Sequence, residues 1–155
     1  IVIFIAYMVI MGMIPDMRRT FRYHGAEHKT IYCYEKGLEL TTEHVREQPR
    51  EHPRCGTSFL FVIMIISILV FSVVTAESRL VQLLLRVVLL PVVIGLSYEV
   101  NRFAGRHDGV LSSILRWPGM MLQHITVLEA DDSMIEVAIV SLQHVIPENR
   151  QEDQW

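Results

Sequence analysis

The 155-residue chain has few cysteines, no excess of positive charge and no recognisable leader pattern at its start. Its two cysteines, Cys33 and Cys55, are too few for a disulfide framework, and we expect reduced thiols on a cytosolic face. Lys and Arg number 14 against 17 Asp and Glu, which gives a net charge of −3 and argues against a nucleic-acid partner. The apolar run from Ile1 has no initiator methionine and no charged segment before it, so the pattern is not that of a signal peptide. An internal repeat is absent as well.

Apolar residues are abundant instead, and they are concentrated in three runs. They form 51% of the chain and give a mean hydropathy of +0.33, which is high for a soluble domain and typical of a membrane protein. The second and third runs are each long enough to cross a bilayer, and the short 76–79 turn between them predicts a transmembrane hairpin. Pro91 and Gly95 lie inside the third run, where membrane helices tolerate them. The three runs are 1–14, 58–74 and 80–98.

The first run is shorter than a complete membrane crossing. As a helix, residues 1–14 span about 21 Å, whereas the hydrocarbon core of a bilayer is roughly 30 Å thick. We therefore expect this run to be the end of a transmembrane helix that Pro15 stops, and further residues to precede Ile1 in the complete protein.

The distribution of positive charge predicts the orientation in the membrane. The segment between the first two runs carries eight Lys and Arg residues, whereas the 76–79 turn carries only Arg79. The positive-inside rule then places residues 16–57 and the C-terminal part in the cytoplasm. The positive residues are Arg18, Arg19, Arg22, Lys29, Lys36, Arg46, Arg50 and Arg54 in the first segment, and Arg102, Arg106, Arg116 and Arg150 after the third run.

The remaining segments complete an all-α prediction. A helix is expected over 23–36, ended by Lys36 and a C′ glycine, and a short helix is expected from Glu43. Residues 110–122, with Trp117, are expected to lie along the membrane interface. The pattern Ser133-Met134-Ile135-Glu136 predicts a capping box that opens a C-terminal amphipathic helix ended by Pro147. Its apolar face is Ile135, Ala138, Ile139, Leu142, Val145 and Ile146.

The predicted fold is thus a polytopic α-helical membrane protein with one domain over 1–155. It comprises the end of a transmembrane helix (1–14), a cytoplasmic segment with the metal motif (16–57), the transmembrane hairpin (58–98) and a cytoplasmic or interfacial C-terminal part (99–155). The expected location is the cell membrane, with the lipid bilayer as a partner and a homo-oligomer as a further expectation.

The cytoplasmic segment contains the pattern His-x-x-Glu-His, formed by His24, Glu27 and His28. Positions i, i+3 and i+4 of a helix lie on one face, so the two imidazoles and the carboxylate would be neighbours. Two histidines so placed can bind a zinc-like divalent ion, and Glu27 could act as a general base beside it. The order of residues is that of the inverted zincin motif. The alternative is a polar, solvated helix face.

Three further residues are candidates for the third metal ligand. His52 and Cys55 precede the second run and Glu99 follows the third, so the predicted topology brings all of them to the membrane face that carries the motif. Each has a simpler interpretation: Glu99 could pair with Arg102, Cys55 could be a packed small residue, and His52 could belong to a turn. Arg22, Arg54 and Arg102 are candidates for binding an anionic group of a substrate.

Several motifs together resemble a known family. The stretches Phe21-Arg22-Tyr23-His24-Gly25-Ala26-Glu27-His28-Lys29, His52-Pro53-Arg54-Cys55-Gly56-Thr57-Ser58-Phe59, Ser97-Tyr98-Glu99 with Arg102, and Leu122-Gln123-His124-Ile125-Thr126 to Glu136-Val137-Ala138-Ile139 resemble the YqhQ-like bacterial membrane proteins. The resemblance implies a bacterial integral membrane protein. That family is a domain of unknown function, labelled a predicted metal-dependent enzyme, so the resemblance supplies no reaction.

Two functions are compatible with these patterns. The first is a membrane-embedded metal-dependent enzyme, most simply a hydrolase acting at the cytoplasmic membrane face on a lipid headgroup, a lipid-linked compound or a juxtamembrane peptide. The second is a non-enzymatic membrane scaffold, assembly factor or oligomeric pore, in which the His, Glu and Cys residues form a structural cluster.

Overall fold

A computed structural model describes residues 1–107 and 109–147 of the chain. Arg150, counted above among the positive charges, and the rest of 148–155 in the predicted C-terminal part lie outside these residues. Within them the chain forms seven α-helices and no strand, which confirms the all-α prediction. The helices are α1 (Val2–Met13), α2 (Pro15–Glu35), α3 (Thr42–Arg46), α4 (Gly56–Val73), α5 (Arg79–Arg106), α6 (Val110–Thr126) and α7 (Asp132–Gln143).

The backbone contacts divide the chain into two compact units. The first unit comprises Ile1–His52 together with the chain from Met121 onward, and the second comprises Pro53–Met120. Helix α6 begins in the second unit, and its last turns belong to the first. We call the first unit the histidine unit and the second the hairpin unit, and describe each by itself. The prediction of one membrane domain stays a prediction.

Helix α2 is the longest helix of the histidine unit, and it begins earlier than the sequence predicted. Ile14 adopts an extended conformation that ends α1, and Pro15 follows as the first residue of α2, eight residues before the predicted start at Tyr23. Proline suits this position because its fixed φ is helical and a first-turn N–H needs no intrahelical partner. Asp16 in the first turn also complements the helix dipole.

The end of α2 matches the prediction. Gly37 has a positive φ of 69°, its N–H donates to the carbonyl of Tyr34, and the N–H of Leu38 donates to the carbonyl of Cys33. These two bonds form a Schellman motif, which requires the left-handed conformation that glycine adopts without a steric penalty.

The core of the histidine unit lies where α2 and α3 contact α7. Three of the six residues predicted for the apolar face of α7 are buried there, namely Ile135, Ala138 and Ile139. The predicted end of this face is wrong, because α7 ends at Gln143 and Val145 is 72% exposed. The core residues are Ala26, Cys33, Val45, Met134, Ile135, Ala138 and Ile139.

The predicted capping box at the start of α7 is also wrong. The N-cap is Asp131, whose carboxylate accepts a hydrogen bond from the backbone N–H of Met134. The hydroxyl of Ser133 donates to the same carboxylate at 2.6 Å. An ionised carboxylate accepts both bonds and favours the positive end of the helix dipole, so Asp131 takes the position expected for the serine.

The start of α7 and the segment before it are joined to α2 and α3 by three ion pairs. Arg22 pairs with Asp131, Lys29 with Glu129, and Arg46 with Asp132. The Lys29 side chain is only 6% exposed and also donates to the carbonyl of Arg46, so its charge is compensated within the unit.

The hairpin unit contains α4 and α5, which contact each other after a short connection. Both are long and apolar enough to cross a membrane, with mean hydropathies of 2.5 and 2.3 over their best windows. Cys55 is the N-cap residue of α4, so the helix begins at Gly56. Helix α5 continues eight residues past the predicted end at Tyr98, because neither proline nor glycine interrupts the chain before Gly105.

Candidate metal centre

His24 and His28 lie one turn apart on α2 with their rings in contact. The ring centroids are 4.3 Å apart in an edge-to-face arrangement, and a ring nitrogen of each lies within 4.8 Å of the other. The helical spacing of the motif therefore brings the two imidazoles together as predicted. His28 is buried and His24 is partly buried.

Backbone carbonyls hold one nitrogen of each ring. Nδ1 of His24 lies 3.1 Å from the carbonyl oxygen of Thr126, and Nδ1 of His28 lies 2.6 Å from that of Arg50. A carbonyl only accepts hydrogen bonds, so both Nδ1 atoms carry the proton and act as donors. A metal bound to these rings would then use Nε2. Metal-binding histidines usually donate the N–H of their other ring nitrogen to an acceptor such as a backbone carbonyl.

His52 is the third histidine of this cluster. Its ring centroid is 5.8 Å from that of His28, and the residue is 3% exposed. Nε2 of His52 lies 3.2 Å from a carboxylate oxygen of Glu35, and its ring packs against Tyr32 at 4.4 Å. His52 is thus a buried residue with a specific carboxylate partner. The alternative interpretation, a histidine that only belongs to a turn, does not account for this bond.

The backbone of His52 is held as firmly as its ring. The side chain of Gln123, which is 0% exposed, accepts from the N–H of His52 at 2.7 Å and donates to its carbonyl at 2.8 Å. A primary amide can satisfy both groups of one residue because it carries a donor and an acceptor side by side. The last turns of α6 therefore fix where His52 lies.

The chain after α6 approaches α2 closely beside His24. The N–H of Leu128 donates to the carbonyl of Phe21, and a Cβ atom at Gly25 would lie only 2.0 Å from the carbonyl oxygen of Leu128. Only glycine fits this contact without moving backbone, so Gly25 permits the approach that brings the Thr126 carbonyl to His24.

The site extends along α2 beyond the predicted motif. His24, His28, Tyr32 and Glu35 follow one another at intervals of four, four and three residues, which places them in one stripe on the helix. The interpretation of the sequence stopped at His28 and missed Tyr32, Glu35 and Gln123. Continuing the helical spacing would have found Tyr32 and Glu35, whereas no local signal marked Gln123.

The predicted catalytic base, Glu27, has a different environment. It is exposed, and its side chain makes no hydrogen bond or ion pair with any residue that the structure describes. Its role as a base stays a prediction.

Arg22, predicted to bind substrate, donates to the Glu129 carbonyl at 3.0 Å and to Asp131 at 2.9 Å. Both of these bonds stabilise the fold.

Four other predicted site residues lie in the hairpin unit. Arg102 pairs with Glu99 at 3.5 Å one turn along α5, as the simpler interpretation expected. Cys55 is buried, with its sulfur 3.0 Å from the hydroxyl of Thr57, and Arg54 is partly buried. Their roles as metal ligands or substrate-binding residues stay predictions.

Two groups of the histidine unit have shifted pKa values. Burial opposes ionisation of Glu51, but hydrogen bonds from Arg50 and from the backbone outweigh it and hold the pKa of Glu51 below its usual value. Burial raises the pKa of the Cys33 thiol, which keeps this cysteine protonated and unreactive in the core.

Comparisons with known proteins place the chain among proteins without an assigned activity. The sequence profile of the family "Protein of unknown function (DUF1385)" matches residues 1–148. The chain is 37% identical over 147 residues to the uncharacterized protein YqhQ of Bacillus subtilis (strain 168), a match covering 94% of this chain and 46% of that protein. The chain thus spans about half the length of this relative. No solved structure matches.

Proposed function

We propose that this chain, which belongs to the DUF1385 family of proteins of unknown function, is part of a membrane-embedded metal-dependent enzyme, most simply a hydrolase. The observation that carries the proposal is the pair His24 and His28. The rings touch, and each has its Nδ1 proton directed to a backbone carbonyl. This arrangement prepares two Nε2 lone pairs for one divalent ion, zinc being the simplest choice.

Chain residues would have the following roles in catalysis. His24 and His28 would hold the ion, and Glu27, which is exposed one turn beyond His24, would accept a proton from the attacking water. The ion would supply a Lewis acid that activates water at neutral pH. Arg22, Arg54 or Arg102 would bind an anionic group of the substrate, and the third ligand would be His52, Cys55 or Glu99.

The proposed location is the cytoplasmic face of the cell membrane. Helices α4 and α5 support it, since only 11% of each apolar window is buried within the protein, unlike the core helices of a soluble domain. The excess of positive residues in 16–57 over the 76–79 turn supports the orientation. A substrate at this boundary would be a lipid headgroup, a lipid-linked compound or a juxtamembrane peptide.

Metal analysis of the purified protein tests the proposal. We expect about one equivalent of zinc in the wild-type protein, and loss of most of it in His28→Ala, because two ligands bind an ion far more tightly than one. His44→Ala is the matched control, since His44 is exposed and its Nδ1 bonds to the backbone carbonyl of Glu39. Stoichiometric zinc retained in His28→Ala would rule out the ligand assignment.

The second candidate is a non-enzymatic scaffold, assembly factor or oligomeric pore. The burial of His28 and His52 and their bonds to Arg50 and Glu35 favour it, because such bonds also stabilise a fold without any reaction. Glu27→Gln separates the two candidates. In the enzyme it abolishes turnover and leaves zinc content unchanged, whereas in the scaffold it changes nothing and zinc removal lowers only the unfolding temperature.

A further inference from the structure

We infer that His52 is the third protein ligand of this metal centre and that Glu35 is the residue that positions it. The inference rests on the proposed metal function and names what completes the site. Nothing in the motif at His24 and His28 pointed to Glu35, which lies two turns further along α2.

The separations of His28 from His24 and from His52 are close to that of two imidazoles that share one ion. Two imidazoles that share a tetrahedral zinc have ring centres about 5 Å apart, because each nitrogen lies about 2 Å from the metal. The centroid distances are 4.3 Å between His24 and His28 and 5.8 Å between His28 and His52, one on either side of this value. Binding of one ion would therefore bring the ring of His52 closer to that of His28.

Each of the three rings has one nitrogen held by a fixed acceptor. The acceptors are the Thr126 carbonyl for His24, the Arg50 carbonyl for His28 and the Glu35 carboxylate for His52. Because a carboxylate accepts, Nε2 of His52 carries a proton, and a metal bound to His52 would use Nδ1. A carboxylate behind a ligating histidine fixes its tautomer and raises its basicity, and losing it typically costs 10- to 100-fold in metal affinity.

The position of His52 is set independently of the metal. Gln123 binds both backbone groups of His52, and Tyr32 packs against the ring. The backbone of His52 therefore cannot leave this position without breaking two buried hydrogen bonds, and its ring cannot turn away without losing the bond to Glu35. A ligand held in advance in this way loses little conformational freedom when the ion binds.

Three histidines would make an open site. Catalytic zinc centres commonly have three protein ligands and leave the fourth position to water or substrate. The inference therefore supports the enzyme over a structural zinc site, which would have a closed set of four ligands.

Cobalt and zinc binding to the purified full chain test the inference. The variants are His52→Ala, Glu35→Gln, His28→Ala and the control Glu47→Gln, which removes an exposed carboxylate without a hydrogen bond or ion pair among the described residues. We expect His52→Ala to lose the visible absorption of tetrahedral cobalt, and Glu35→Gln to bind zinc 10- to 100-fold more weakly. Glu47→Gln should match the wild-type protein.

The outcomes separate this inference from the proposed function. If the wild-type protein and His28→Ala bind cobalt alike, the metal centre itself is refuted. If His28→Ala loses the cobalt spectrum while His52→Ala and Glu35→Gln keep wild-type affinity and spectrum, the centre stands and His52 is not its ligand. The unfolding temperature of the metal-free variants is the readout for a purely structural role, and a fall in Glu35→Gln without a change in zinc affinity would assign Glu35 to stability alone.

Discussion

The side-chain amide of Gln123 holds His52 by both backbone groups, at 2.7 Å to the N–H and 2.8 Å to the carbonyl. The two residues are 71 positions apart in the chain, and both are almost completely buried. This one contact joins the end of α6 to the segment that precedes the hairpin unit. It therefore determines whether the third histidine lies beside the other two.

Replacing Gln123 by Ala should cost stability and metal affinity together. The change leaves two buried backbone groups of His52 without their partner, which costs about 1–3 kcal/mol. The zinc affinity should fall as well, because His52 is no longer fixed beside His28. Gln143→Ala, at the exposed end of α7, is the control. Thermal unfolding and zinc titration of both variants measure the two effects, and an unchanged Gln123→Ala would show that the contact is dispensable.

Replacing Gly25 by Ala should destabilise the histidine unit. The added methyl group would lie 2.0 Å from the Leu128 carbonyl oxygen, so backbone must move, and overpacking of this kind costs about 1–3 kcal/mol. Gly12→Ala is the matched control, since its methyl group would lie at an ordinary 3.5 Å from the Phe21 ring. Denaturant unfolding compares the two. Equal stability of both variants would mean that the segment after α6 does not lie against α2.

The start of α7 offers a direct choice between two caps. Asp131→Ala should lower the unfolding temperature by a few degrees, and Ser133→Ala should lower it less, because Asp131 accepts from the helix N–H and Ser133 only donates to Asp131. A larger loss in Ser133→Ala would favour the cap that the sequence suggested.

The same contact predicts a pH dependence with a definite sign. Hydrogen bonds from Ser133 and Met134 and the charge of Arg22 hold the pKa of Asp131 below its ordinary 3.8. Because the folded-state pKa is the lower one, the stabilisation is complete above the unfolded value and is lost as the pH falls through the folded value. Unfolding temperatures measured below pH 4 should therefore fall less steeply in Asp131→Asn, which keeps a capping oxygen but does not titrate.

Much of the helical architecture could be predicted because it depends on local pattern. The apolar runs, Pro15 and the Lys36-Gly37 pair mark helices and their ends within a few residues of where they occur. The errors have local causes that the pattern did not resolve. Ser133 and Asp131 are both good caps, and only the bonds that form distinguish them. The end of α5 was predicted too early, at Tyr98, although no proline or glycine follows before Gly105.

Part of the candidate site could also be predicted, since all three histidines were candidate ligands, whereas the groups that hold them were not predicted. His24 and His28 meet because residues four apart on a helix always lie on one face. Glu27 belongs to the same motif, yet it is exposed while His28 is buried, and this difference arises from what packs on α2 rather than from spacing. Glu35 was missed although it continues the stripe, because a carboxylate that follows two aromatic residues suggests only a solvated helix end.

The sequence by itself determined that the chain is helical, that two of its helices are apolar enough to cross a membrane and that two histidines share a face of α2. Only the tertiary structure decided which atoms hold those histidines. Thr126, Arg50, Glu35 and Gln123 come from separate segments, and no periodicity relates residues that lie up to 102 positions apart. Spacing along a helix is set by its 3.6-residue turn, whereas the tautomer and position of each imidazole are set by acceptors that reach it only when the segments pack together.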